Sequence, residues 1–436
     1  MIPEKSGFYY VSDNGPFVIG SETVCGQTPL ENRFFNLNLK EDDKNKLIKF
    51  VVYCSNLKAT EINPEFPSCS WMGGVFAYTG YGTLNRNIIK HLVEMGANVR
   101  LLTQIDKIDI PLEEAKFLAQ KTHCNVLNKY PIVWGSVQSR ESLKRHVVHY
   151  TMSETDGFIN GDFIQTLSRT GEVWVPTNWD KEKFINSGVT KLIKIMPLGV
   201  DEQVYKPSIG EVIYTSGTNK FVFLTVSAWN WRKGYDVLLK AYFRSFSSKD
   251  DVSLVFITRE GEGKRDVDKE LPCLLDLVKK ENCPHVVVSK ARISDSAMPY
   301  VYSNANVFVL MSRGEGWGLP YCEAAACGLP IIGSNHGGQM AFLKEEDSFL
   351  VKPDRIVDSD ESMMSWSNIY VGTRFADFSD SAIDEISHKM RWVYENYSEA
   401  KRLSNSCSKR VSEEFTWKNS AIRVYNRLVE IQRTIQ

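Results

Sequence analysis

Two rhythms of apolar and polar residues run along this chain. Short apolar runs recur at Ile48–Tyr53, around Val75–Tyr78, and at Ala97–Leu102, Val147–Met152, Val173–Pro176 and Lys194–Pro197. They start again at Lys220–Val226, Val252–Ile257, Val286–Val288 and Ala305–Met311. Runs of this length read as buried strands. Between them lie helical spacings. Leu84, Ile88, Ile89, Leu92 and Val93 share one face before Gly96, and Val237, Leu238, Ala241 and Tyr242 share another. Thr177-Asn178-Trp179 opens a further helix that Gly188 ends. Strands alternating with helices predict an α/β chain whose parallel sheets are covered on both faces.

The restart of the pattern divides the chain. Residues 1–45 are expected to be an N-terminal extension with no assigned role, the charged run Lys40–Lys46 being turns and surface. Residues 46–207 form a first Rossmann-like domain, with a strand at Ile48–Tyr53. Residues 208–218, with Gly210, Ser216 and Gly217, read as a linker. A second domain follows at 219–411, and a helix at 412–436 closes the chain. Arg259–Glu270 is almost wholly charged residues and glycine and reads as solvated; Val357–Phe378, rich in Asp and Ser, shows no clear period.

Composition narrows the classes. A chain of 436 residues with 43% hydrophobic residues has room for more than one core. The net charge of −1 gives no sign of a nucleic-acid partner. The nine cysteines are odd in number and contain no C-x-x-C pair, which points to reduced thiols in a cytosol-like compartment. The N-terminus lacks a signal-peptide pattern and no run of 18 apolar residues occurs. A cytoplasmic protein is expected, with peripheral contact to a cytosolic membrane face left open.

The chemistry concentrates in Ser312–Gly333, SRGEGWGLPYCEAAACGLPIIG. Gly314, Gly316 and Gly318 fall within five residues after an apolar strand, and Leu319-Pro320 opens an Ala-rich helix that Gly328 ends. Strand, glycine loop and helix start leave free N–H groups beside a positive helix end, a seat for phosphate. Glu315 in the loop and Glu323 in the helix flank that seat, and carboxylates accept hydrogen bonds from vicinal hydroxyls. A phosphate between two hydroxyl readers describes a sugar nucleotide.

Glu315 and Glu323 stand in an E-x7-E relation, and the segment resembles the signature of the retaining glycosyltransferase family 4, the group 1 glycosyltransferases of GT-B fold. Val173–Pro207 also resembles that family, and the likeness runs over roughly residues 75–430. It implies two Rossmann-like domains facing across a cleft, with the closing helix returning to the first. It further implies a nucleotide sugar held mainly by the second domain and an acceptor, whether glycan, lipid or protein, held mainly by the first. Glu315 would contact the transferred sugar and Glu323 the ribose. Lys233 and then Arg232 would stabilise charge on the leaving diphosphate, and Gly316, Trp317, Gly318 and Leu319 would line the donor. No metal and no cofactor beyond the donor substrate are expected. Two positions depart from the family pattern: Ser227-Ala228-Trp229 stands where Gly-Arg-Leu is common, and Gly337-Gly338-Gln339-Met340-Ala341 lacks the usual glutamate.

The first domain offers weaker signals. Gly80 and Gly82 suggest a second phosphate contact or a plain tight turn. Glu154, at a strand end, is a candidate for sugar or acceptor contact or a solvated carboxylate. His149 reads as a core histidine, and Trp229 and Trp231 as packing or stacking residues. Asp358-Ser-Asp360 has the form of a metal-binding Asp-x-Asp but lies far from the first sheet. Two rival readings remain for the chain: a sugar-nucleotide epimerase of the same fold, and a non-catalytic sugar-nucleotide-binding protein.

Overall fold

The computed structural model describes residues 41–102, 108–124, 130–135, 147–157, 159–207, 221–260, 266–278, 282–291 and 293–435. The expected linker at 208–218, nearly all of the expected extension and part of the Arg259–Glu270 stretch lie outside them.

The first domain contains α1 (Glu41–Ser55), β1 (Ser68–Gly73), α2 (Gly80–Glu94), β2 (Asn98–Leu101), α3 (Leu112–Lys121), β3 (Ile132–Gly135), β4 (Val147–Tyr150), α4 (Gly161–Ser168), β5 (Glu172–Val175), α5 (Asn178–Asn186) and β6 (Leu192–Ile195). Its six strands are all parallel, in the order β2-β1-β3-β4-β5-β6. The second domain contains β7 (Phe221–Trp229), α6 (Tyr235–Ser245), β8 (Val252–Glu260), α7 (Val267–Val278), β9 (His285–Ser289), α8 (Met298–Ser303), β10 (Val307–Leu310), α9 (Leu319–Ala326), β11 (Ile331–Ser334) and β12 (Phe349–Val351). Its parallel order is β9-β8-β7-β10-β11-β12. An antiparallel hairpin of β13 (Arg355–Asp358) and β14 (Arg374–Asp377) follows, with α10 (Glu361–Trp366) between its strands. Then come α11 (Asp380–Glu395), α12 (Tyr397–Glu414) and α13 (Trp417–Ile435).

Side-chain pattern explains the layers. Every residue of β10 is buried, as a central strand covered on both faces requires. In α2 the Thr79 side chain accepts from the Gly82 N–H and so caps the helix, while Leu84, Ile88, Ile89 and Leu92 are buried beneath it. Ala421, Val424, Leu428 and Ile431 of α13 are buried at helical spacing, and α13 packs on α2 and β1. Thus the closing helix returns to the first domain. The return crossing is stitched there, with Val200 N–H donating to Phe415 O (2.9 Å) and Trp417 N–H to Val200 O (3.2 Å).

Some expected elements differ. Ile48–Tyr53 is helix rather than strand, because the buried residues Leu47, Phe50 and Cys54 repeat every three to four positions. The charged run before them starts the same helix, and Lys46 Nζ donates to Ile108 O and Ile110 O. The strand near Val75 is the preceding Ser68–Gly73, and Val75–Tyr78 is the loop that leads into α2. Strand β7 runs on to Trp229, so Ala228 lies in the sheet, not in a loop. Residues 355–377 form the hairpin and α10.

Candidate functional site

The loop between β10 and α9 is held from outside and leaves its own donors free. Gly338 N–H donates to Glu315 O (2.7 Å), Arg232 Nη1 donates to Gly314 O (2.7 Å), and Ser334 Oγ donates to Ser312 O (2.8 Å). Gly318 caps α9 at φ 86°, a left-handed conformation that a side chain disfavours. Five successive N–H groups, from Glu315 to Leu319, have no acceptor among the described residues. They lie in the loop that leads into the start of α9, where the dipole adds positive potential.

Charge surrounds this cradle. After β7 the turn Trp231–Lys233 swings both cations onto the loop. Lys233 Nζ donates to Glu315 Oε1 at 2.6 Å, Ser312 Oγ donates to the same oxygen at 2.8 Å, and Arg232 Nη1 lies 3.6 Å from Glu315 Oε2. Burial alone would raise the Glu315 pKa. Lys233 and Arg232 outweigh it and hold the carboxyl below its ordinary value, so it is ionised at neutral pH.

Sequence reasoning missed Arg313. It is 3% exposed, and its guanidinium donates to Asp377, to both oxygens of Asp236 and to Trp231 O, while lying over the Trp231 ring. It ties the glycine loop to the hairpin. An arginine between an apolar strand and glycines was the available signal, since a buried guanidinium needs carboxylate partners.

Glu323 faces a different environment. Tyr302 OH donates to its Oε2 at 2.7 Å, and burial, with Asp295 nearby, pushes its pKa up to about 7. It lines a cavity of about 420 Å³ with Tyr205, Asp295, Asp201, Lys90 and Arg86. Arg86, which carried no sequence motif, is 4% exposed and donates to Val75 O (3.0 Å) and Ala77 O (2.7 Å), with Glu114 at 3.4 Å. The cavity therefore spans both domains.

The first domain closes over the loop. A Cβ on Gly314 would lie 1.8 Å from Glu154 O, and one on Gly316 would lie 2.4 Å from the Met152 side chain, so glycine permits this approach. Gly80 faces Leu319 across the gap, and its N–H is without an acceptor among the described residues. The Gly82 N–H is bonded to Thr79 Oγ1, and a Cβ there would meet Ala77 O at 2.0 Å, which makes Gly82 a packing position. Asp180 accepts from Ser153 N–H (2.8 Å) and fixes the turn carrying Glu154. Glu154 Oε1 pairs with Arg232 Nη2 at 3.1 Å, and Tyr370 OH donates to its Oε2 at 2.6 Å. Tyr370, on the turn after α10, is a second residue that no motif announced.

Other expected groups lie elsewhere. The Trp317 indole packs on Phe342 and Phe415, leaving only its backbone at the loop. Trp229 stacks on Tyr235 in the second core, and Trp231 packs on Phe375. His149 is fully buried against Phe163. Asp360 caps α10 through the Ser362 N–H, and among the described residues no cluster of His, Cys, Asp or Glu has the arrangement to hold a metal ion. No helix among them is long and apolar enough to cross a membrane.

With this geometry in place, comparison with known proteins identifies the architecture. The structure resembles Anabaena HepE, solved with UDP and glucose, with a TM-score of 0.60 and 15% identity over 84% of this chain and 100% of that one. It also resembles sucrose-phosphate synthase from Thermosynechococcus elongatus, with a TM-score of 0.61 and 16% identity over 84% and 100%. The fold is GT-B. Residues 212–370, which include Arg232, Lys233, Glu315, Glu323 and Tyr370, match the family model described as Glycosyl transferases group 1. Among curated proteins the chain is similar to MMP alpha-(1->4)-mannosyltransferase of Mycolicibacterium hassiacum, 25% identical over 54% of this chain and 49% of that one. It is also similar to mannosylfructose-phosphate synthase of Agrobacterium fabrum, 27% identical over 34% of each. The chain thus spans about a third to a half of the length of these curated relatives.

Proposed function

We propose that the protein is a retaining, metal-independent glycosyltransferase of family 4 that moves a hexose from a nucleoside-diphosphate sugar to an acceptor hydroxyl. The observation that carries this reading is the row of five free N–H groups from Glu315 to Leu319 beside Lys233 and Arg232. Such a cradle suits a diphosphate whose charge grows as the glycosidic bond breaks. Glu315, ionised beside it, accepts hydrogen bonds from hydroxyls of the transferred sugar. Glu323, in the cavity, accepts from the ribose. The C1–O bond breaks with its electron pair leaving on the β-phosphate. The acceptor oxygen bonds to C1 on the same face, and its proton passes to that phosphate. Gly80, with its free N–H on the opposite wall, adds a contact to the bound anion.

Ligand-induced thermal stabilisation tests this reading. The panel is UDP, GDP, ADP and their glucose and mannose conjugates, with and without EDTA. Mannose and glucose come first because a relative's name carries mannosyl transfer and HepE was also solved with UDP-glucose. A ligand at 100 times its dissociation constant adds about 2.7 kcal/mol of stability. The expected result is a shift with one base, unchanged by EDTA, followed by an α-linked product from an α-linked donor by NMR. No shift with any member, or an inverted product, overturns the proposal.

A further inference from the structure

The two cations of the proposed diphosphate seat already have carboxylate partners, and the partners come from different domains. Lys233 is paired with Glu315 of its own domain. Arg232 lies between Glu315 of its own domain (3.6 Å) and Glu154 of the opposite one (3.1 Å). Glu154 has little freedom to be elsewhere. Asp180 holds the Ser153 N–H beside it, Tyr370 donates to its second oxygen, and its own carbonyl presses on Gly314. A fixed anion from the first domain therefore stands where the second domain offers its arginine.

We infer that Glu154 is an internal competitor of the donor diphosphate, setting donor affinity by occupying Arg232 until a phosphate takes its place. This rests on the glycosyltransferase reading and adds a role to a residue that reading leaves without one. The physical grounds are two. A phosphate offers Arg232 a bidentate partner with more charge than one carboxylate oxygen. An anion on the adjacent free N–H groups also repels Glu154 across a few ångströms of partly desolvated space. Donor binding thus releases one clasp between the domains. The clasps at Asp156 N–H to Arg374 O (2.7 Å) and Asn160 Nδ2 to Val371 O (3.3 Å) lie outside the exchange and keep the hairpin on the first domain.

Calorimetric titration with inorganic pyrophosphate at physiological ionic strength tests the exchange on five proteins: the unaltered chain, Glu154→Gln, Arg232→Gln, the double variant of these two and Tyr370→Phe. Glu154→Gln keeps the shape of the side chain and removes its charge. The expected result is pyrophosphate binding about tenfold tighter in Glu154→Gln, a gain of the size of one charged hydrogen bond. That gain should disappear when Arg232 is also replaced. Tyr370→Phe, which loosens the carboxylate without removing it, should give a smaller gain in the same direction. An equal gain in both arginine backgrounds would mean simple charge removal and would overturn the inference. So would unchanged or weaker binding in Glu154→Gln, while pyrophosphate binding by the unaltered chain would leave the glycosyltransferase reading standing. Failure of all five proteins to bind pyrophosphate would sink both.

Discussion

The two sheets share a parallel architecture, yet their facing edges are chemically opposite. The second domain presents Lys233, Arg232 and a row of unpaired N–H groups, an edge that attracts anions. The first domain presents Glu154, Asp156 paired with Lys183, and the Gly80 N–H, which has no acceptor among the described residues. Like folds do not make like sites. What differs is the connection after the strand: α9 starts at Gly318, φ 86°, with no side-chain cap, whereas Thr79 caps α2 and takes up the Gly82 N–H. On the proposed mechanism the donor belongs to the anion-seeking edge, and on the inferred exchange Glu154 sets how readily it is accepted.

Lys233→Ala should break this contrast most sharply. It removes the cation nearest Glu315 and, on the proposed mechanism, lowers kcat about 100-fold or more, the scale of a lost transition-state electrostatic contact. Steady-state kinetics on the donor identified by thermal shift decide the matter; a rate within threefold of the unaltered enzyme would count against Lys233 as the stabilising cation.

Arg427→Ala tests the other half of the contrast, where charge serves structure. Glu172 is 1% exposed and receives Arg427 Nη2 at 2.6 Å, so the variant strands a buried carboxylate under α13. A loss of about 3 kcal/mol in urea unfolding is expected, with nucleotide affinity of the folded protein unchanged. Loss of affinity without loss of stability would reverse the assignment.

A smaller effect separates the two glutamates of the second domain by pH. Burial pushes the Glu323 pKa up to about 7, so on the proposed donor pose hydrogen bonds from ribose to its carboxylate strengthen as pH rises from 6 to 8. Nucleoside-diphosphate affinity should rise by about tenfold more over that interval in the unaltered chain than in Glu323→Gln. Stability runs the other way. The folded protein keeps a proton that the unfolded chain releases near 4.5, so this group lowers stability as pH climbs from about 4.5 to about 7. A Glu323→Gln variant with the same pH profiles would refute the burial effect. The smallest change is expected from Asp358→Asn, which lies on the exposed hairpin: rates within twofold, and no response to EDTA in either protein.

Legibility in the sequence followed the same divide. The loop from Ser312 and the helix after it were readable because glycines, proline and paired glutamates force that geometry through local backbone rules. Four strands of the second domain were readable from their apolar runs, but their order in the sheet was not. Ile48–Tyr53 misled because a short apolar segment fits either period, and only Leu47 and Cys54 on its flanks reveal the helical one. Arg86 and Tyr370 were invisible, and Arg313 showed only as a charge between a strand and glycines, for a different reason. Each meets a group far along the chain, Tyr370 on Glu154 at 216 residues' separation and Arg86 beside Asp295 at 3.9 Å, and no local pattern encodes such a meeting.

The stitch of Phe415 and Trp417 onto Val200 gives the molecule a pivot as well as a closure. Because α13 is moored to the first domain while α11 and α12 stay with the second, any rotation of one domain against the other would be borne at that seam. A dye on the outer face of α13 and another on α11 would convert this rotation into one energy-transfer distance. Donor capture could then be followed on a single molecule in real time, without any assay of sugar transfer.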